Sequence, residues 1–160
     1  MIELVPAAQI HATLLAAMHK VCFADPWTEQ GFLQGLSSLG TEGLMAVDQG
    51  TLVPSDGSLG GPAGMVLWRK LFDEGEILTI CVLPPWRGKG LGERLLRAAL
   101  AQMQEGGVTR LFLEAAETNT EALALYAKLG FRQISRRKNY YRDVDALILE
   151  CHPQSEAVGK

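Results

Sequence analysis

Residues 86 to 92 read WRGKGLG, and an amphipathic stretch, ERLLRAALAQM, follows directly. Glycine is the poorest helix former after proline, so three glycines in front of a strong helix do not serve the helix itself. A helix N-terminus leaves backbone N–H groups unpaired and carries about half a positive charge. Glycines let successive N–H groups turn toward one point, and they admit a ligand to the backbone with no Cβ in the way. An apolar run ending at Val82 and a turn at Pro84-Pro85 come just before. The segment therefore predicts a strand–turn–helix corner that binds a phosphate, with Arg87 and Lys89 adding charge beside it.

The rest of the pattern supplies a setting for that corner. Short strands are predicted near residues 2–4, 44–47, 63–68, 76–82, 110–114, 131–136 and 146–150. A first helix is predicted over 6–21, with Ile10, Leu14, Leu15 and Met18 as its apolar stripe. Thr28 caps a second, short helix through Phe32 and Leu36. The helix over 91–105 buries Leu91, Leu95, Leu96, Ala99 and Met103 and stops at Gly106-Gly107. Asn119 caps a fourth helix through Lys128, and Gly130 takes the left-handed stop. Residues 49–62, rich in Gly, Ser and Pro, read as a long exposed hairpin loop. The expected fold class is α/β (α+β), a mixed central sheet flanked by about four helices.

With 160 residues, 48% of them apolar and 21% charged, the chain suits one domain with a real core. That domain is expected over 1–152, with 153–160 as a flexible tail. No apolar run approaches the roughly 18 residues of a membrane span. The N-terminus has no basic region followed by an apolar stretch, so no signal peptide is read. Cys22, Cys81 and Cys151 form no CxxC pair, which fits a reducing cytoplasm and no metal site. His19 and Cys22 make at most half a metal site, with no second pair. A net charge of -3 argues against an obligate nucleic-acid binder.

The ligand of the corner narrows by elimination. The nucleoside-triphosphate loop needs GxxxxGK[ST], and no Ser or Thr follows Gly90. The dinucleotide fingerprint GxGxxG fails from Gly88, where Glu93 stands third, and from Gly90, where Leu95 does. Arg87-x-x-Gly90-x-Gly92 after a strand ending V-x-P does fit a known pattern. It resembles the acyl-CoA loop of the GNAT acetyltransferase superfamily. Asn119 followed by ALALYAKLGF resembles the second motif of that superfamily. Asp25-Pro26-Trp27-Thr28, Leu113-Glu114 and Asn139-Tyr140-Tyr141 resemble its RimI-type branch, which acetylates protein N-termini with a small-subunit ribosomal protein as bacterial acceptor. The 49–62 loop is longer, and the segment after Tyr141 shorter, than in that branch.

The resemblance implies a GNAT fold, acetyl-CoA as co-substrate, and a protein or peptide N-terminus as partner. It implies that Arg87, Gly88, Lys89, Gly90, Leu91 and Gly92 cradle the coenzyme pyrophosphate. The backbone of Ile80, Cys81 and Val82, with Asn119, would hold the pantetheine arm. It makes Glu114 the general base, with Glu117 as rival, and Tyr126 the general acid beside the thioester. Trp27, Tyr140 and Tyr141 would wall the acceptor slot. A monomer without membrane or nucleic-acid partners is expected.

Three other features stay open from the residues alone. Cys81 could carry an acyl group or be a buried structural thiol; no histidine lies near it in sequence to activate it, so the buried thiol is expected. Arg136-Arg137-Lys138 with Tyr140-Tyr141 could track nucleic acid or be a solvated face with packing tyrosines. A small-amine or lysine acetyltransferase, and a coenzyme-sensing or RNA-contacting module without turnover, are the rival functions.

Overall fold

A computed structural model describes residues 1–153; the tail expected from 153 lies, from 154 on, outside the described residues. Seven strands hydrogen-bond in the order β1-β2-β3-β4-β5-β7-β6. They are β1 (Ile2–Pro6), β2 (Thr41–Asp48), β3 (Gly61–Leu71), β4 (Glu74–Val82), β5 (Arg110–Ala116), β6 (Arg132–Tyr141) and β7 (Val144–Cys151). The α-helices are α1 (Ala12–Cys22), α2 (Glu29–Ser37), α3 (Leu91–Glu105) and α4 (Thr120–Lys128). β4 runs parallel to β5, and the β1–β2, β2–β3, β5–β7 and β6–β7 pairs are antiparallel. The expected mixed sheet with four helices is what forms.

The chain divides into two compact units, Met1–Arg69 with Leu78–Ala99, and Lys70–Ile77 with the residues from Leu100 on. In the first, Leu15 and Met18 of α1 and Phe32 of α2 pack with Met45, Met65, Leu67 and Cys81. Gly64 lies on the other face of β3, where a Cβ would come within 3.2 Å of Leu95 on α3. Helices thus cover β3 on both faces, which is why its residues 61–68 are buried without alternation. Each fully buried leucine of this kind stabilises the fold by about 1.5–3 kcal/mol.

In the second unit, Met103 and Val108 close over Gly75 and Leu111; a Cβ on Gly75 would sit 2.8 Å from the Met103 sulfur. β7 is central there, registered against β5 on one side and β6 on the other. β6 shifts register twice, between Gln133 and Ser135 and between Arg137 and Tyr141.

Several boundaries depart from the sequence reading; β2 and β3 are longer at both ends than the expected 44–47 and 63–68. The first helix starts at Ala12, after a 3-10 turn over Gln9–His11, because Pro6 closes β1 and His11 Nδ1 accepts from the Ala8 N–H at 3.0 Å. Ile10 is therefore 86% exposed rather than part of the stripe. β5 continues two residues beyond Glu114. The strand expected over 131–136 begins at Arg132 and runs to Tyr141. It is exposed along its length, so no apolar alternation marks it.

Candidate active site

The first unit carries the glycine corner. β4 alternates, with Thr79 and Cys81 buried and Leu78, Ile80 and Val82 half-buried. Past Val82, Pro84–Trp86 forms a 3-10 turn. Trp86 is buried, and its indole N–H donates to Asp48 Oδ2 at 2.9 Å. That bond, with the N-terminal ammonium 3.4 Å from Asp48 Oδ1, holds the Asp48 carboxyl below its usual range. Trp86 thereby pins the turn while residues 87–90 remain exposed. Gly88 and Gly90 have φ of 77° and 80°, a region that costs other residues about 1–2 kcal/mol. No atom lies within 4 Å of a Cβ built on either. The Gly90 carbonyl accepts from the Arg94 N–H at 3.1 Å, so α3 begins directly after the glycines. The first N–H groups of a helix have no acceptor within it.

Arg87 is committed otherwise than expected. Its Nε donates to the Val82 carbonyl at 2.8 Å, and its Nη2 lies 3.7 Å from the Cys22 sulfur. Of the expected phosphate cations, Lys89 extends from the loop itself, while Arg87 folds back on the end of β4.

Trp27 precedes α2, where Thr28 Oγ1 accepts from the Gly31 N–H at 3.0 Å as expected of the cap. Trp27 is held by a residue the sequence did not single out for this. His19 is buried on α1, its Nδ1 accepting from the Trp27 N–H at 3.0 Å and its Nε2 2.9 Å from Thr79 Oγ1. Since Nδ1 accepts, Nε2 carries the proton and donates to Thr79. Phe23 stacks on the ring at 4.2 Å and Phe32 meets it edge-on. Burial pushes this histidine down to about 4, so it is neutral at physiological pH. His19 is thus a structural anchor for the Trp27 segment rather than a solvated helix-face residue.

The second unit gathers the other group. Glu114, on β5, lies 3.8 Å from Arg137 Nη1. Arg137 covers the Tyr140 ring at 5.2 Å, and Tyr140 and Tyr141 meet edge-on at 5.0 Å. Burial and then the Glu114 charge push the Tyr141 phenol up. Glu114, Arg137, Tyr140 and Tyr141 therefore form one cluster. Asn119 caps α4, its Oδ1 accepting from the Ala122 N–H at 3.3 Å. Tyr126 on that helix is buried against Phe131, and burial pushes its phenol up to about 12. It keeps its proton at neutral pH and is a donor.

Glu117 is engaged elsewhere: one of its oxygens accepts from Arg136 at 3.2 Å and from the Asp145 N–H at 3.1 Å. Asp145, buried on β7, accepts from the Asn139 N–H at 2.9 Å and from Arg136 Nη1 at 2.6 Å. Asn139 has φ 53°, and the Asp145 bond fixes that left-handed residue just before the two tyrosines. The sequence reading missed Asp145. Its one signal was a carboxylate preceding an otherwise apolar strand, ALILEC. Arg136 belongs to this scaffold, with Lys138 Nζ 3.9 Å from Asp145 Oδ2, and Arg137 to the Glu114 cluster, so all three consecutive cations serve local ion pairs.

Comparison with known proteins agrees with the fold. The family model for the acetyltransferase (GNAT) family matches residues 14–131. A putative ribosomal protein bS18-alanine N-acetyltransferase of Bacillus subtilis is 34% identical over 129 residues, 79% of this chain and 80% of that protein. The N-alpha-acetyltransferase RimI of Mycobacterium tuberculosis is 40% identical over 119 residues, 74% of this chain and 69% of that one. The fold of the Escherichia coli ribosomal-protein-S18-alanine N-acetyltransferase superposes with a TM-score of 0.85 at 23% identity, covering 97% of this chain and 96% of that chain. The NatC complex bound to Gag peptide and CoA contains a chain with a TM-score of 0.80 at 23% identity, covering 96% of this chain and 99% of that one.

Proposed function

Since the chain belongs to the acetyltransferase (GNAT) family and is an acetyl-CoA-dependent N-acetyltransferase, we propose that its acceptor is a protein N-terminal α-amine, the N-terminal alanine of a small-subunit ribosomal protein. The likeness to N-terminal alanine acetyltransferases across most of the chain carries this reading. Acetyl-CoA supplies the acetyl group as a thioester. Gly88 and Gly90 fit its pyrophosphate, since each is left-handed with clear space where a Cβ would stand. The N–H groups opening α3 and the Lys89 ammonium add positive potential there. Arg87 joins them by releasing Cys22. The backbone of residues 80–82 and the Asn119 side chain hold the pantetheine arm.

Glu114 is the base of this reading, directly or through a water. Glu117 accepts from both Arg136 and the Asp145 N–H, which favours Glu114, paired more loosely with Arg137 at 3.8 Å. The energetic demand suits one carboxylate: freeing a neutral α-amine at pH 7 costs about 1.4 kcal/mol, against about 4.6 kcal/mol for a lysine. Tyr126, protonated through burial, donates to the departing thiolate. Tyr140, Tyr141 and Trp27 wall the acceptor slot, set in place by Asp145 and His19. We place the activity in one catalytic domain over 1–152, acting as a monomer in the cytoplasm. Among the described residues no helix is long and apolar enough to cross a membrane.

The test is mass spectrometry of a peptide with a free N-terminal alanine and an internal lysine, beside an N-terminally blocked copy. Acetylation of the free α-amine alone is expected. Comparable acetylation of the blocked peptide would move the protein to the lysine or small-amine class.

A further inference from the structure

Cys22 closes α1, and its sulfur lies 3.7 Å from Arg87 Nη2 and 3.7 Å from the Val82 carbonyl. Cys81, one residue before Val82 on the buried face of β4, belongs to the core cluster against which Cys22 packs. Neither the fold nor acetyl transfer requires two adjoining thiols under a guanidinium. We propose that Cys22 is an oxidant-reactive thiolate and that Cys81 resolves it, closing a reversible disulfide between α1 and β4 at the root of the glycine loop.

The two sulfurs are unequal in the way such a pair requires. Cys22 is half-buried and reachable, whereas Cys81 is 8% exposed. The Cys81 thiol, and then the Arg87 guanidinium, bring Cys22 down to about 6 against the opposing effect of burial, while the Cys22 sulfur and burial push Cys81 up. The groups bearing on Cys22 are Arg87 from the glycine loop, Cys81 from β4, and His19 and Lys20 on α1. His19 is neutral and engaged with Thr79 and Trp27, so Arg87 is the neighbouring charge. Cys151 lacks these partners: its sulfur meets the Leu129 carbonyl at 3.7 Å, and burial pushes it up.

The thiolate is the nucleophile in thiol oxidation. With a hydroperoxide as oxidant, the Cys22 thiolate attacks the terminal peroxide oxygen, the O–O bond breaks and an alcohol leaves after taking a proton. Cys22 becomes a sulfenic acid. The Cys81 thiol then attacks the Cys22 sulfur, and its proton departs with the displaced hydroxide as water. Two thiols and one hydroperoxide yield one disulfide, one alcohol and one water. A thiol reductant reverses the bond by exchange. Transient disulfides of this kind are the form that cytosolic proteins use for redox sensing. On oxidation Arg87 loses the thiolate and keeps only the Val82 carbonyl.

The folded protein is treated with substoichiometric hydrogen peroxide, digested without reductant, and mapped by mass spectrometry. A peptide joining Cys22 to Cys81, released by dithiothreitol, is expected. In Cys81→Ala, dimedone should trap Cys22 as the sulfenic acid. Iodoacetamide near pH 7 should label Cys22 at least about tenfold faster than Cys151, and Arg87→Gln should narrow that ratio. Labelling of Cys22 no faster than Cys151 overturns the proposal. So does peroxide treatment of the unmodified protein that gives no Cys22–Cys81 link. Should Cys81→Ala fail to fold, the link in the unmodified protein still decides. None of these readouts involves acetyl transfer, so they stand apart from the assigned activity.

Discussion

Replacing His19 with Asn removes a buried titration while leaving an acceptor for the Trp27 N–H. The histidine titrates at about 4 in the fold against 6.5 ordinarily. The folded state thus resists a proton that the unfolded chain takes up first. This contribution to stability is complete above about pH 6.5, shrinks as pH falls toward about 4, and is constant below. Between about pH 7 and pH 5 the linkage amounts to about 2 kcal/mol. The acidic groups held below their usual range, Asp48, Asp145 and Glu150, lose their contributions at lower pH, below about 4. Cys22, at about 6, also takes up a proton in this interval, so it is the difference from His19→Asn, which keeps Cys22, that isolates the histidine. Urea unfolding at fixed ionic strength near both pH values should show the native protein losing about 2 kcal/mol more than His19→Asn. Equal losses would mean that the ring gains its proton without breaking the Trp27 and Thr79 bonds, and the anchor argument would fail.

Two further outcomes are expected. Gly90→Ala should weaken acetyl-CoA binding at least about tenfold by calorimetry, because its Cβ would fill the clear space and the residue sits at positive φ; unchanged affinity in a folded variant would remove the loop from the coenzyme site. Tyr126→Phe should lower kcat by about 10²-fold or more with KM for acetyl-CoA nearly kept, the scale of one acid–base partner; normal turnover would mean that the thiolate departs unaided.

The features legible in the sequence were those written locally. The helix over 91–105 was readable to the residue because its five stripe positions are all buried and glycines flank it at both ends. Thr28 and Asn119 announced themselves as caps because a cap acts within three residues. What stayed hidden depends on partners far along the chain. His19 meets Thr79 sixty positions away. Cys22 and Cys81 come from a helix and a strand with no motif between them. Asp145 acquires its role where β6 shifts register between Arg137 and Tyr141. Ile10 misled for the opposite reason: its spacing matched the stripe, but a 3-10 turn carries it off the helical face.

Among the described residues β6 is the last strand of the sheet, and it is exposed from end to end. Its free row of backbone donors and acceptors is where a foreign strand could add. Arg132, Arg136, Arg137 and Lys138 crowd this edge, and the register breaks twice along it. An incoming strand would have to dehydrate several cations and follow a ladder that does not continue. The ion pairs that steady the tyrosines thus also guard the molecule against fibril-like stacking and cross-chain annealing at its rim.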